Sequence, residues 1–240
     1  MTTRSCVSAG LGLLAVSGLT QVARAGDISA NYSFGFGTHG VSYTTNLPGN
    51  VGPITTNATL FQGTRTGGTD TLVPTTFDAF CAEVGEGLGG NGTHPNVFPL
   101  LGSSTATGGI SGPVLFDATR THNLERLWGS YKSAVVDASS MKAFQLAQWE
   151  LVMDDDMTLV QGALSKLWVD GSQFEAGVTD VAESWLANIA SNPNGPKQGL
   201  LLLTGEGIQD QITPVPEPAT LAALGLGALA LIRRRRNRAA

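Results

Sequence analysis

Apolar positions along this 240-residue chain change their spacing part-way through. Short Thr-, Val- and Phe-rich stretches, partly alternating and bounded by Gly, Pro and Asn, fill the chain from Ile28 to about Phe116. They predict strands at Ile28–Phe36, Val41–Leu47, Thr56–Gln62 and Thr76–Val84. From Thr121 to Asp154 the spacing becomes helical. Leu124, Leu127, Trp128, Tyr131 and Val135 fall at i, i+3, i+4, i+7 and i+11, one face of a helix. A second helix, capped by Ser139 or Ser140, runs to about Met153. Val178, Val181, Trp185 and Ile189 mark a third, stopped by Asn192-Pro193-Asn194-Gly195. Gly199–Thr204 reads as a buried closing strand, and residues 157–177 as strand and turn. The pattern predicts an α+β fold: a β-rich N-terminal half, a mid-chain helical insertion and a closing C-terminal strand.

The two ends differ from this body. Met1–Ala25 carries Arg4, a small and apolar stretch from Val7 to Leu19, and then Ala23-Arg24-Ala25. These are the charged, apolar and cleavage regions of a secretory signal peptide, with Ala23 and Ala25 at the cut and the Sec export machinery as the implied partner. At the other end an uncharged run of 14 residues, 219–232, is followed by Arg233, Arg234, Arg235 and Arg236. As a helix it would reach about 21 Å, short of a hydrocarbon core of about 30 Å. Positive charge stays on the cytoplasmic side, so the body lies outside. Pro216 and Pro218 keep the preceding segment extended. The division is signal peptide 1–25, exported body 26–210, and tail 211–240 with its apolar helix at 219–232.

Val215-Pro216-Glu217-Pro218, the apolar run and the arginines resemble the PEP-CTERM sorting signal of exported bacterial proteins. The resemblance implies recognition by a membrane-embedded exosortase, a cysteine transpeptidase-like enzyme that cuts near the triplet. It also implies transient anchoring, then a place at the cell surface or in an extracellular, exopolysaccharide-rich biofilm matrix.

Charge narrows the body's chemistry. Seven of the 14 Lys and Arg, but only one of the 19 Asp and Glu, lie in the two ends. The body therefore carries seven basic and 18 acidic residues, net −11, which argues against nucleic-acid binding. No cofactor is implied. Gly87-Leu88-Gly89-Gly90-Asn91-Gly92 fits a dinucleotide fingerprint, but Thr93-His94-Pro95-Asn96 follows where a helix should open, so it reads as a loop. His39, His94 and His122 lack metal-ligand spacing and read as surface or capping residues. Asp154-Asp155-Asp156 reads as a solvated turn, without the spacing of a calcium loop. No residue stands out as catalytic. With charged residues at 14% of the chain, a non-enzymatic protein is the expectation. The alternative is a secreted carbohydrate-binding module or carbohydrate-active enzyme built from scattered carboxylates and aromatics.

Two residues call for partners. Once the signal peptide takes Cys6 away, Cys81 is an unpaired thiol in an exported protein. Gln145 is the polar member of an apolar helical stripe formed by Met141, Trp149 and Val152, and a buried carboxamide needs hydrogen bonds. Phe80-Cys81-Ala82 with Gln145-Leu146-Ala147-Gln148-Trp149 is similar to the Cys and T-Q-x-A-[I/V]-W motifs of thioester domains in bacterial surface adhesins. Phe144 and Gln148 depart from that pattern. The resemblance implies that Cys81 supplies sulfur and Gln145 the acyl carbon of an internal thioester. Ala147 and Trp149 would pack around it, and the bond would capture a surface nucleophile. It requires Cys81 and Gln145 to be neighbours. For the export signal, N-terminal sequencing of secreted protein should begin at or near Gly26, and a start at Met1 or Thr2 would contradict the reading.

Overall fold

A computed structural model describes residues 26–45, 53–84, 92–106, 113–153, 157–159, 164–169 and 176–216. The strands are β1 (Gly26–Thr45), β2 (Pro53–Gly67), β3 (Thr76–Cys81), β4 (Gly92–Pro99), β5 (Leu164–Val169), β6 (Leu200–Gly205) and β7 (Ile208–Pro214). The helices are α1 (Ala118–Tyr131), α2 (Ala138–Met153) and α3 (Ala176–Ser191). All strand pairings are antiparallel, in the order β2-β3-β7-β6-β4-β1-β5, and β1 also pairs with β2. That extra pairing closes six strands into a barrel, which leaves no open edge within the ring.

The length of β1 makes closure possible. One edge pairs with β2 from Ser29 to Thr44. The other is shared: Gly26–Ala30 pairs with β4 and Val41–Thr45 with β5. Between these stretches the β2 register shifts at Gly35–His39, where Phe36 and Gly37 have φ of 59° and 79°. A left-handed phenylalanine is unfavourable, and two bonds hold the bulge. The His39 ring meets the Phe36 carbonyl at 2.7 Å, and the Thr59 hydroxyl donates to the Gly37 carbonyl at 3.0 Å.

Alternation along β3 sends Phe77, Ala79 and Cys81 into the barrel and Phe80 out towards the helices. Tyr32 meets Phe61 and Phe77 edge-on inside, each with ring centroids 6.0 Å apart. Gly63 is obligatory here, because a Cβ would stand 2.3 Å from the Phe77 ring. Outside, Phe80 packs on Trp128 and Phe144 at 5.7 and 4.7 Å, and Phe144 continues to Trp185 at 6.3 Å. This aromatic chain fastens all three helices to β3.

Helix α2 is buried on every side from Met141 to Val152, between α1, α3 and strands β1–β3. Its cap is Asp137 rather than Ser139 or Ser140. The Asp137 carboxylate accepts from the Ser140 amide at 2.8 Å and from the Ser140 hydroxyl at 2.6 Å. Those bonds, the hydroxyl first, hold the Asp137 carboxyl below its usual range. On α3 the buried stripe is Val178, Ala182, Leu186 and Ile189, while Val181 faces solvent and Trp185 is half-buried.

Several expectations need correction. The predicted strands Ile28–Phe36 and Val41–Leu47 are one strand. The segment Thr93–Asn96 is strand, because β4 tolerates Pro95 at an irregularity opposite Gly26 and Ile28. The closing strand is β7 rather than β6, so the body reaches Pro214, past the boundary drawn at 210. Among the described residues no helix is long and apolar enough to cross a membrane. The run 219–232, the signal peptide and Asp154–Asp156 lie outside them.

His94 is also not a surface residue. It lies inside the barrel, 1% exposed, with its ring 6.0 Å from that of Tyr32. Neither ring nitrogen has a hydrogen-bond partner. Burial lowers its pKa to about 4, against about 6.5 when unfolded. Between those values the unfolded chain binds the extra proton, so stability falls as pH drops through this window and levels off below 4. The loss attributable to His94 should reach about 3 kcal/mol. Urea unfolding of wild type and His94→Leu at pH 7 and pH 4.5 checks this: the variant should show the shallower pH slope, and equal slopes would contradict it.

Candidate functional site

The pairing of β2 with β3 ends at Phe61–Ala79, two residues before Cys81. Antiparallel geometry still points the Cys81 N–H and C=O to the side β2 has left. Helix α2 takes its place. Cys81 N–H donates to Gln145 Oε1 at 3.1 Å, and Gln145 Nε2 donates back to the Cys81 carbonyl at 3.0 Å. Gln148, one turn further on, donates to the same carbonyl through Nε2 at 2.8 Å. Its Oε1 accepts the Trp128 indole N–H at 2.9 Å. Both glutamine side chains are fully buried. The structure thus brings Cys81 and Gln145 together, but through the cysteine's main chain. Ala147 and Trp149 are buried on the same helix.

The Cys81 thiol faces the other way, into the barrel. Ala82 N–H donates to the Asp210 carbonyl at 2.8 Å, which makes Cys81–Gln211 a non-hydrogen-bonded cross-strand pair. Side chains of such a pair stand on one sheet face at their closest spacing. Gln211 is 0% exposed, and neither its Oε1 nor its Nε2 has a hydrogen-bond partner. Leu203, its neighbour on β6, and Val97 on β4 complete an apolar row. Burial pushes the Cys81 thiol well above its ordinary pKa, and the nearby Glu83 carboxylate pushes the same way. The sulfur is therefore held as S–H beside an unsatisfied carboxamide.

The hairpin carrying Gln211 is fixed by Asp210. Its buried carboxylate accepts from Ala106 N–H at 2.5 Å and Gly205 N–H at 3.2 Å. Sequence reasoning missed Gln211 because Ile208–Pro214 is mostly polar. The available signal was the Glu206-Gly207 turn directly after an apolar strand, with Ile208 and Ile212 as anchors.

Residues 214–236 match the PEP-CTERM protein-sorting motif. The motif marks an exported protein, anchored by its C-terminal end and processed by an exosortase. No curated protein and no solved structure matches the chain. Of the sorting-signal residues, Val215 and Pro216 are described and Val215 is packed on the core. Glu217, Pro218 and Arg233–Arg236 lie outside the described residues, as do Ala23 and Ala25.

Replacing Gln145 by Leu strands the Cys81 N–H in a dry site. It should cost about 1–3 kcal/mol in urea unfolding. A loss below about 0.5 kcal/mol would show that water or a rearranged chain replaces the bond.

Proposed function

We propose that the body is a non-enzymatic adhesive module, displayed outside the cell by exosortase sorting, with a latent Cys81 thioester as its reactive group. The observation that carries this reading is the buried Gln211 carboxamide facing the Cys81 thiol across β3 and β7 with no hydrogen-bond partner. A group in that state costs about 1–3 kcal/mol, a cost removed if it is consumed. The thiol adds to the Gln211 side-chain carbonyl carbon and the C–N bond breaks. The thiol proton leaves on that nitrogen as ammonia. A surface amine or hydroxyl later attacks the same carbon, and sulfur departs as the thiol with the nucleophile's proton. Two groups locked on neighbouring strands gain the effective-molarity advantage that a neutral thiol needs. The apolar row of Val97 and Leu203 slows hydrolysis.

In this reading Gln211, rather than Gln145, supplies the acyl carbon, and Gln145 holds the cysteine in place. A second reading keeps Gln145 as the acyl donor. It is favoured by the Cys81 N–H bond to Gln145 Oε1, which polarises that carbonyl. Against it, both polar atoms of Gln145 are committed to the Cys81 main chain.

Intact mass of the processed protein separates these readings. Wild type should weigh one ammonia less than its sequence, and Cys81→Ala and Gln211→Ala should both restore the full mass. A deficit that survives Gln211→Ala and disappears in Gln145→Ala would move the acyl carbon to Gln145. A full mass in wild type would reject the thioester.

A further inference from the structure

The sorting motif begins inside the folded body. Pro214, its first matched residue, pairs with Leu200 as the last residue of β7. Val215 continues the ladder: its N–H donates to the Gly199 carbonyl at 2.8 Å. Its own carbonyl accepts Gln198 Nε2 at 2.6 Å, and its side chain packs on the core. Gln198 is held in turn, because its main-chain N–H donates to the Glu125 main-chain carbonyl on α1 at 2.9 Å. Pro216 is the last described residue. It lines a cleft of about 730 Å³ with Leu72, Val73 and Pro74, so the chain leaves the barrel at an open rim.

A processing enzyme needs its substrate strand free on both sides of the bond it cuts. Around Val215 the main chain is already committed to Gly199 and Gln198, so reaching those bonds requires the end of β7 to detach first. The first bond outside this clip is Pro216–Glu217. On the far side the apolar run starts at Ala219, and two residues at about 3.5 Å each give little slack for pulling the body towards an enzyme in the membrane. We propose that the Gln198–Val215 clip sets the upstream limit of exosortase processing. The mature protein then retains Val215 and Pro216 and is cut C-terminal to Pro216. The clip keeps the barrel's last strand intact after release.

Two measurements test this. In an exosortase-containing host, the C-terminal peptide of released protein should end at or beyond Pro216; an end at Val215 or earlier overturns the proposal. Separately, the purified full chain is digested with proteinase K, which reads the clip without reference to sorting. Wild type should keep a resistant core that includes Val215. Gln198→Ala, which removes a rim side chain and leaves the barrel core untouched, should raise the rate of cutting upstream of Pro216 by about tenfold, the effect of one lost hydrogen bond. An unchanged rate overturns the clip. A chain left uncut in the host counts against the sorting reading, while the digestion still decides the clip.

Discussion

Strand β3 parts from its neighbour before it ends. Beyond the Phe61–Ala79 pair β2 leaves it, and the Cys81 main chain has no strand partner on that side in a place water does not reach. An unpaired peptide group there would cost more than the sheet gains by continuing. The carboxamides of Gln145 and Gln148 imitate a strand edge and take over the pairing. This one substitution dictates much of the remaining architecture. It requires α2 to lie against the barrel wall at a fixed height and rotation, hence buried on all sides. It requires Trp128 on α1 to hold Gln148, which ties the helical insertion to the same point. The Phe80–Phe144–Trp185 ring contacts then seal the joint from outside.

Two glutamines beside one cysteine do different work because of where their atoms point. Gln145 binds the main chain through both of its polar atoms. Gln211 stands across the sheet from the thiol with both polar atoms unsatisfied. Buried unsatisfied groups are uncommon in folded proteins and call for an explanation. The mostly apolar surroundings that make Gln211 costly also keep the thiol protonated and water away. Stability lost at this pair is recovered in the main-chain bonds and aromatic packing behind it.

The sequence disclosed the helices more fully than the barrel. Helix α1 followed its apolar spacing, since one face packs and the other meets solvent. Helix α2 could be found but its environment could not, because Lys142, Gln145, Gln148 and Glu150 mimic a polar face while all are buried. Strand β7 was hidden for a related reason: Gln209, Asp210, Gln211 and Thr213 are buried by strand pairing, helped at Asp210 and Thr213 by side-chain bonds, rather than through hydrophobicity. Strand β4 was masked by Pro95 beside a glycine-rich stretch. The thiol and Gln145 were visible as residues in need of partners. Gln211 was not, because cross-strand register between β3 and β7 depends on a hairpin 130 residues away from Cys81.

The barrel therefore holds a dry thiol beside an unpartnered carboxamide, and the sorting motif marks the chain that carries it for export. The two glutamines divide the labour, one holding the cysteine and the other facing its thiol. Peptide mapping after incubation of the native protein with methylamine tests this division most directly. Methylamide should appear on the peptide containing Gln211, together with a newly titratable Cys81 thiol. Methylamide on the peptide containing Gln145, or none on either, would contradict it.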